Sequence, residues 1–270
     1  MPEIEPEDKS LKSLKGLHLW HAPMSSCSQR VRITLAERGE AFTSHVINLE
    51  KDEHASADYQ RIHPKGLVPA LVDDGHLIIE SIDIIVHIAG ENSPLANVSS
   101  SKLLDMADAA QLDLKLLTFE FLFRAGPSPS PENAEAFQKS HKNEWLQQFR
   151  KDFAKGFDQD RINDAIARTD EGFQTLNEIL SDGREYLEGA EFTLSDIAWM
   201  PNVHRFKLMD WPFERTPHVQ RWFEKISKRP SYREALLNWQ AEPAVKAFSA
   251  YTKKRKAEGT DVRSFPHFRS

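Results

Sequence analysis

The chain has 270 residues, enough for two domains sharing an interface, and 40% hydrophobic residues give it a core to bury. Its 41 acidic residues against 35 basic ones leave a net charge of −6, so no chain-wide positive field suits nucleic acid and a small-molecule partner is favoured. The single cysteine, Cys27, excludes an internal disulfide framework and a zinc site built on thiolates.

Residues 1–16 read as a polar, mobile lead-in with no apolar signal region. No run approaches the roughly twenty apolar residues of a membrane-spanning helix, so the expected address is the reducing cytoplasm. Residues 17–21 alternate apolar and polar, which predicts a short strand. After the turn Pro23-Met24-Ser25-Ser26, residues 27–38 carry Val31, Ile33 and Leu35 on a predicted helix stopped by Gly39. A second strand is predicted over 42–47 and a polar helix over 55–62, ending in the turn His63-Pro64-Lys65-Gly66. The apolar runs 67–72 and 76–79 flank Asp73-Asp74-Gly75, a hairpin signal. Glu80-Ser81 then opens an apolar helix to about Ala89. The order β-α-β, break, β-β-α makes residues 17–90 one α/β domain.

Past the linker Asn92-Ser93-Pro94, strand signals vanish and helical periodicity takes over, predicting an all-α domain over 99–270. Residues 107–123 read as one long amphipathic helix and 162–180 as another. Between them the run from Gly126 to Pro131 breaks the chain, and an insert near 126–160 follows. In that insert Trp145, Phe149, Phe153 and Phe157 recur every four residues, on one helical face. Thr193 and Asp196 have capping-box spacing. Residues 216–237 give a further helix, interrupted at Pro230, and a basic tail runs on from Ala241.

Three features of the first domain can carry chemistry. Ser25-Ser26-Cys27-Ser28 lies between strand and helix, where backbone N–H groups and the helix dipole favour an anion and a hydroxyl can stabilise a thiolate. The same residues also read as a plain helix N-cap. Val68-Pro69 precedes a strand and is a candidate cis peptide that would expose the Val68 backbone to a ligand, or else an ordinary edge-strand proline. Glu80-Ser81 opens a helix, so Ser81 can bind a carboxylate and Glu80 an amine, although Glu-Ser is also a common cap. Metal-ligand spacing is missing around His204, His218 and His267, and no phosphate-binding or dinucleotide motif occurs.

Taken in order and spacing, these stretches resemble the cytosolic glutathione transferase superfamily, with a thioredoxin-like N-terminal domain and an all-α second domain. Ser25-Ser26-Cys27 followed by Arg30-Val31-Arg32-Ile33 resembles the zeta-class signature, although Gln29 departs from it. His63 to Leu71 is similar to the superfamily's cis-proline loop, and Thr193 to Asp196 to its capping box. The resemblance implies glutathione as co-substrate and a homodimer. It implies that Ser25 activates the glutathione thiol with Ser26 and Cys27 in support. Val68, across cis Pro69, would pair with the cysteinyl backbone, and Glu80 and Ser81 would hold the γ-glutamyl end. Lys51, His54 or Lys65 would meet the glycyl carboxylate.

The longer helical half is closer in outline to the bacterial lignin β-aryl etherases. The reaction expected is thiolate attack on an aromatic electrophile. The alternatives are a zeta-like isomerase using Arg30 and Arg32 towards a diacid, thiol transfer through Cys27 itself, and a non-catalytic binding protein. The tail, with Trp239, Val245, Phe248 and Tyr251, is expected to wall the electrophile pocket, with Tyr251 as a hydrogen-bond donor.

Overall fold

Strand β1 (Leu17–His21) is the central strand of the N-terminal half, and its inward side chains explain the position. Leu19 is wholly buried and Trp20 nearly so, one on each face of the sheet. A computed structural model of the chain, describing residues 5–126 and 130–269, places β1 between β2 (Thr43–Val46) and β3 (Ala70–Asp73), with β4 (His76–Ile79) outermost. The order is β2-β1-β3-β4, with β1 parallel to β2 and antiparallel to β3. A parallel pair needs a crossover, and helix α1 (Ser26–Arg38) supplies it. The Asp74-Gly75 turn, both residues at positive φ, closes the β3–β4 hairpin. Helix α2 (Ala57–Ile62) follows β2, and α3 (Ser81–Ala89) follows β4 and packs on α1.

Within the polar lead-in, residues 9–13 take up regular structure that their composition does not imply. Lys9–Ser13 forms a short 3₁₀ turn, and Leu11 buries itself with Trp20, Tyr59 and Leu77. One apolar anchor in a polar stretch is enough to tie it down.

The rest of the chain is helical: α4 (Lys102–Ala109), α5 (Gln111–Phe121), α6 (Pro131–Ser140), α7 (Glu144–Lys155), α8 (Gln159–Ile179), α9 (Leu194–Leu208), α10 (Pro217–Ile226), α11 (Pro230–Ala235), α12 (Glu242–Glu258) and α13 (Pro266–Arg269). The single helix expected over 107–123 is broken at Ala110 into α4 and α5. Of the expected break from Gly126 to Pro131, residues 127–129 lie outside the described residues. The aromatic stripe of the insert ends earlier than its spacing implies: α7 stops at Lys155 and Gly156 turns the chain with φ +95°, so Phe157 lies beyond the helix. Its ring still packs on Phe149, 5.2 Å between centroids. The expected capping box is present, the Asp196 carboxylate accepting the Thr193 N–H at 2.9 Å. No helix among the described residues is long and apolar enough to cross a membrane.

Helix α9 is buried along nearly its whole length and packs on α1, α4 and α5. A helix apolar or satisfied on all sides belongs at the centre of a bundle. It therefore joins the helical half to the first domain through α1.

Candidate active site at the end of the sheet

Strand register brings the three sequence features to one end of the sheet. Ala70 pairs with Trp20 on one side and Ile79 on the other. The Val68-Pro69 segment just before Ala70 therefore lies between the chain leaving β1 towards Ser25 and the chain leaving β4 towards Glu80 and Ser81. The Val68–Pro69 peptide is cis, as the sequence allowed. Tyr59, buried beneath the loop, donates its hydroxyl to the Leu67 carbonyl at 2.5 Å.

Ser25 caps α1. Its hydroxyl oxygen accepts the Ser28 N–H at 3.2 Å, which leaves the hydroxyl proton free to point outward. Ser26 differs, because its hydroxyl donates to Gln111 Oε1 at 2.6 Å. The Cys27 thiol shares the same acceptor at 3.5 Å. Gln111, at the start of α5, is itself fixed by donating to Asn202 Oδ1 at 2.6 Å. Neither residue was legible in the sequence, since a lone Gln or Asn in a helix carries no motif.

Glu80 stands at φ +67°, a conformation few non-glycine residues adopt, and its carboxylate meets Lys65 at 2.6 Å. Both side chains are about half exposed, so the pair is weak and can exchange for a ligand. Ser81, the first residue of α3, is buried, and its hydroxyl oxygen accepts from Arg30 Nη1 at 3.2 Å.

Two expectations need correction. Arg30 and Arg32 are fully turned inward. Arg30 donates to the carbonyls of Ala198 and Ala107 at 2.9 and 2.6 Å. Arg32 donates to the carbonyls of Ala235, Ala22 and Pro23, with Trp239 stacked over its guanidinium. Buried guanidinium groups must spend their donors on local acceptors, and these bridge α1 to α9 and to the α11 segment rather than face a diacid. His54, named above as one of three residues for the glycyl carboxylate, is buried. It lies under the insert against Phe137 and His141, and burial holds its pKa down at about 3. Lys51 remains exposed on its turn.

The insert provides the floor that covers His54. Gln60 of α2 donates to the Ser140 carbonyl and accepts the Lys142 N–H, each at 2.8 Å. His141 lies 3.1 Å from the Gly66 carbonyl, and Arg150 pairs with Asp52. Aromatic side chains of α5 and α7 fill the space behind: Phe119 meets Phe123, Phe149 and Phe153 edge-on at 5.1, 4.9 and 5.0 Å. Phe123 in turn lies under Arg205, which donates to the Met24 carbonyl beside Ser25.

The tail docks on this cluster from outside. Phe248 of α12 packs on Phe123 at 5.8 Å, and Phe265 packs on Phe121 at 5.6 Å. The Tyr251 hydroxyl oxygen accepts from Arg255 at 3.4 Å, and the same guanidinium pairs with Glu120. A separate surface recess of about 200 Å³, lined by Val203, Lys207, Trp211 and Phe223, shares no residue with the Ser25 cleft.

A four-stranded mixed sheet with a helix N-terminus at Ser25, joined to a helical domain through α1, defines the glutathione transferase fold. The family model for the N-terminal domain of glutathione S-transferases matches residues 24–91, and that for the C-terminal domain matches 143–225. The two come in the family's order and together span more than half of the chain, so the protein belongs to the glutathione S-transferases, enzymes whose co-substrate is glutathione.

Among curated relatives, glutathione S-transferase TCHQD of Arabidopsis thaliana is 25% identical over 82% of this chain and 89% of its own length. Glutathione S-transferase Z2 of the same plant is 27% identical over 84% of this chain and 93% of its own. In fold the chain is similar to the β-etherase LigF from Sphingobium sp. strain SYK-6, with a TM-score of 0.71 at 22% identity over 81% of this chain and 98% of that one. It is also similar to a bacterial zeta-class maleyl pyruvate isomerase, with a TM-score of 0.60 at 20% identity over 83% and 99%.

Proposed function

We propose that the enzyme transfers glutathione to an aromatic electrophile, with aryl-ether cleavage as the form of that reaction. The observation that carries the reading is the free proton of Ser25. Its oxygen is used by the cap bond while its hydrogen remains available to a sulfur at the N-terminus of α1. Ser26 and Cys27 both donate hydrogen bonds to Gln111 Oε1, so they support the turn rather than serve the ligand. Val68, Glu80 and Ser81 would hold the peptide backbone and γ-glutamyl end of glutathione, with Lys65 released from Glu80 to meet a carboxylate.

In the reaction the thiol loses its proton to solvent. The thiolate forms a carbon–sulfur bond at the carbon bearing the leaving group, and the carbon–oxygen bond breaks to release a phenolate. The aromatic side chains behind Ser25 suit a ring-bearing substrate. An isomerase acting on a diacid is less well supported, because Arg30 and Arg32 are spent on backbone carbonyls.

The test is the ultraviolet thiolate absorbance of bound glutathione against pH. Ser25→Ala should raise the thiol pKa by about one to two units, the loss of one charge-assisted hydrogen bond. Cys27→Ala should leave it in place. An unmoved pKa in Ser25→Ala together with lost turnover in Cys27→Ala would transfer the chemistry to the cysteine.

A further inference from the structure

Helix α5 carries one cation whose charge nothing nearby neutralises. Lys115 lies four residues after Gln111, so it shares the helix face that meets Ser26 and Cys27. Its ammonium sits 5.1 Å from the ring centroid of Trp145 and 6.0 Å from that of Phe149. No carboxylate or carbonyl among the described residues accepts from it. Acids of α4, α5 and the turn before α2 pair with arginines: Asp113 with Arg168, Glu120 with Arg124 and Arg255, Asp52 with Arg150, and Asp108 with Arg30. Burial is the main cause that pushes the Lys115 pKa down, and the positive charge of Arg150 pushes the same way.

Lys115 is partly buried, and a partly buried ammonium without an acceptor is costly in a way that aromatic faces offset only in part. The arrangement makes sense where a ligand supplies the missing anion. The same surroundings describe the ligand's other features. Trp145 is 43% exposed, and the buried Phe149 stacks behind it with Phe119 edge-on beyond, so the tryptophan is the accessible part of the aromatic cluster.

Resting on the transferase reading above, we propose that Lys115 is the anion-binding residue of the electrophile subsite and selects aromatic substrates bearing a carboxylate or phenolate. The ring lies against the exposed Trp145, which is backed by the buried Phe149, and the anionic substituent meets the ammonium. The reacting carbon then faces the sulfur at Ser25 across the Ser26–Cys27–Gln111 bridge. Lys115 thus determines specificity and takes no proton in the reaction.

The experiment uses a matched pair of electrophiles, 4-chloro-3,5-dinitrobenzoate and its methyl ester. With both, glutathione displaces chloride: the carbon–sulfur bond forms, the carbon–chlorine bond breaks, and chloride leaves. Lys115→Met should lower kcat/KM about 10- to 100-fold for the carboxylate, the loss of one charge-assisted contact, and stay within about twofold of the native enzyme for the ester. Lys115→Arg should retain most of the preference. Equal losses on both substrates, or no loss on either, would overturn the proposal; the first would mean that Lys115 acts on the thiolate or on the fold.

Calorimetric affinity for the two glutathione conjugates separates this inference from the transferase reading. If the native enzyme turns over neither substrate yet binds the carboxylate conjugate more tightly than its ester, and Lys115→Met erases that difference, the subsite stands and the aromatic transfer reaction falls. If turnover is normal and neither readout depends on the carboxylate, the subsite falls alone.

Discussion

Ser81 shows how one buried hydroxyl ties the ligand end of the cleft to the domain interface. Its oxygen accepts from Arg30, whose other donors hold the carbonyls of Ala107 and Ala198 in the helical half. In the proposed binding mode its proton would meet a carboxylate at the start of α3, where the helix terminus adds its own attraction. Ser81→Ala should weaken glutathione binding by about 1.5–3 kcal/mol, a charge-assisted contact, while lowering stability by only about 1 kcal/mol through the lost Arg30 acceptor. Calorimetry and urea unfolding on the same variant separate the two effects, and unchanged affinity would remove Ser81 from the site. The sequence brought Ser25, Pro69, Glu80 and Ser81 to notice because each sits at a turn or helix start with its own local grammar. It could not reveal Gln111, Asn202 or Lys115. Their roles come from contacts 84 to 91 residues apart for Gln111, and for Lys115 from the lack of a neutralising acid.

At the scale of elements, the α/β half was legible because its signals are local. Two of its strands and its third helix run over the residues that alternation and turn chemistry predict, 17–21, 76–79 and 81–89. The helical half was less legible, since periodicity finds faces without saying what they meet. The insert is the clearest case: its aromatic stripe was evident, but its docking on α2 depends on Gln60, an unremarked polar residue that is 1% exposed. Gln60 holds the Ala55 and Ser140 carbonyls and the Lys142 N–H at once. Gln60→Ala would leave the buried Ala55 carbonyl unpaired, at about 1–3 kcal/mol, and would release the more exposed Ser140 carbonyl and Lys142 N–H to water. The expected outcome is faster hydrogen exchange at Lys142 and its neighbours, with the β1–β3 amides unchanged. Uniform acceleration across both halves would mean that the insert does not open independently.

For the whole molecule, the buried histidines set the response to acid. Burial is the main cause that lowers His21, His54 and His204 to about 3 and His63 to about 4. Their hydrogen bonds fit neutral rings. Arg32 donates to His21 Nδ1, so the His21 proton resides on Nε2 and reaches Ser44 at 2.8 Å. Gln240 lies 2.6 Å from His204 Nε2, while His204 Nδ1 faces the Tyr232 hydroxyl at 2.6 Å. Because these folded pKa values lie below the unfolded value near 6.5, the unfolded chain binds more protons at intermediate pH. Stability is therefore full above about pH 6.5 and is lost as pH falls towards the folded values, by about 1.4 kcal/mol per pH unit for each proton taken up. Asp196 and Asp52 work in the opposite direction, since burial raises both carboxyls, but they are two groups against four. The urea midpoint should thus drop markedly between about pH 7.5 and about pH 5, and His21→Gln should flatten the slope by up to one proton's share. A midpoint that stays level or rises over that interval would mean that these imidazoles are not held neutral by the fold.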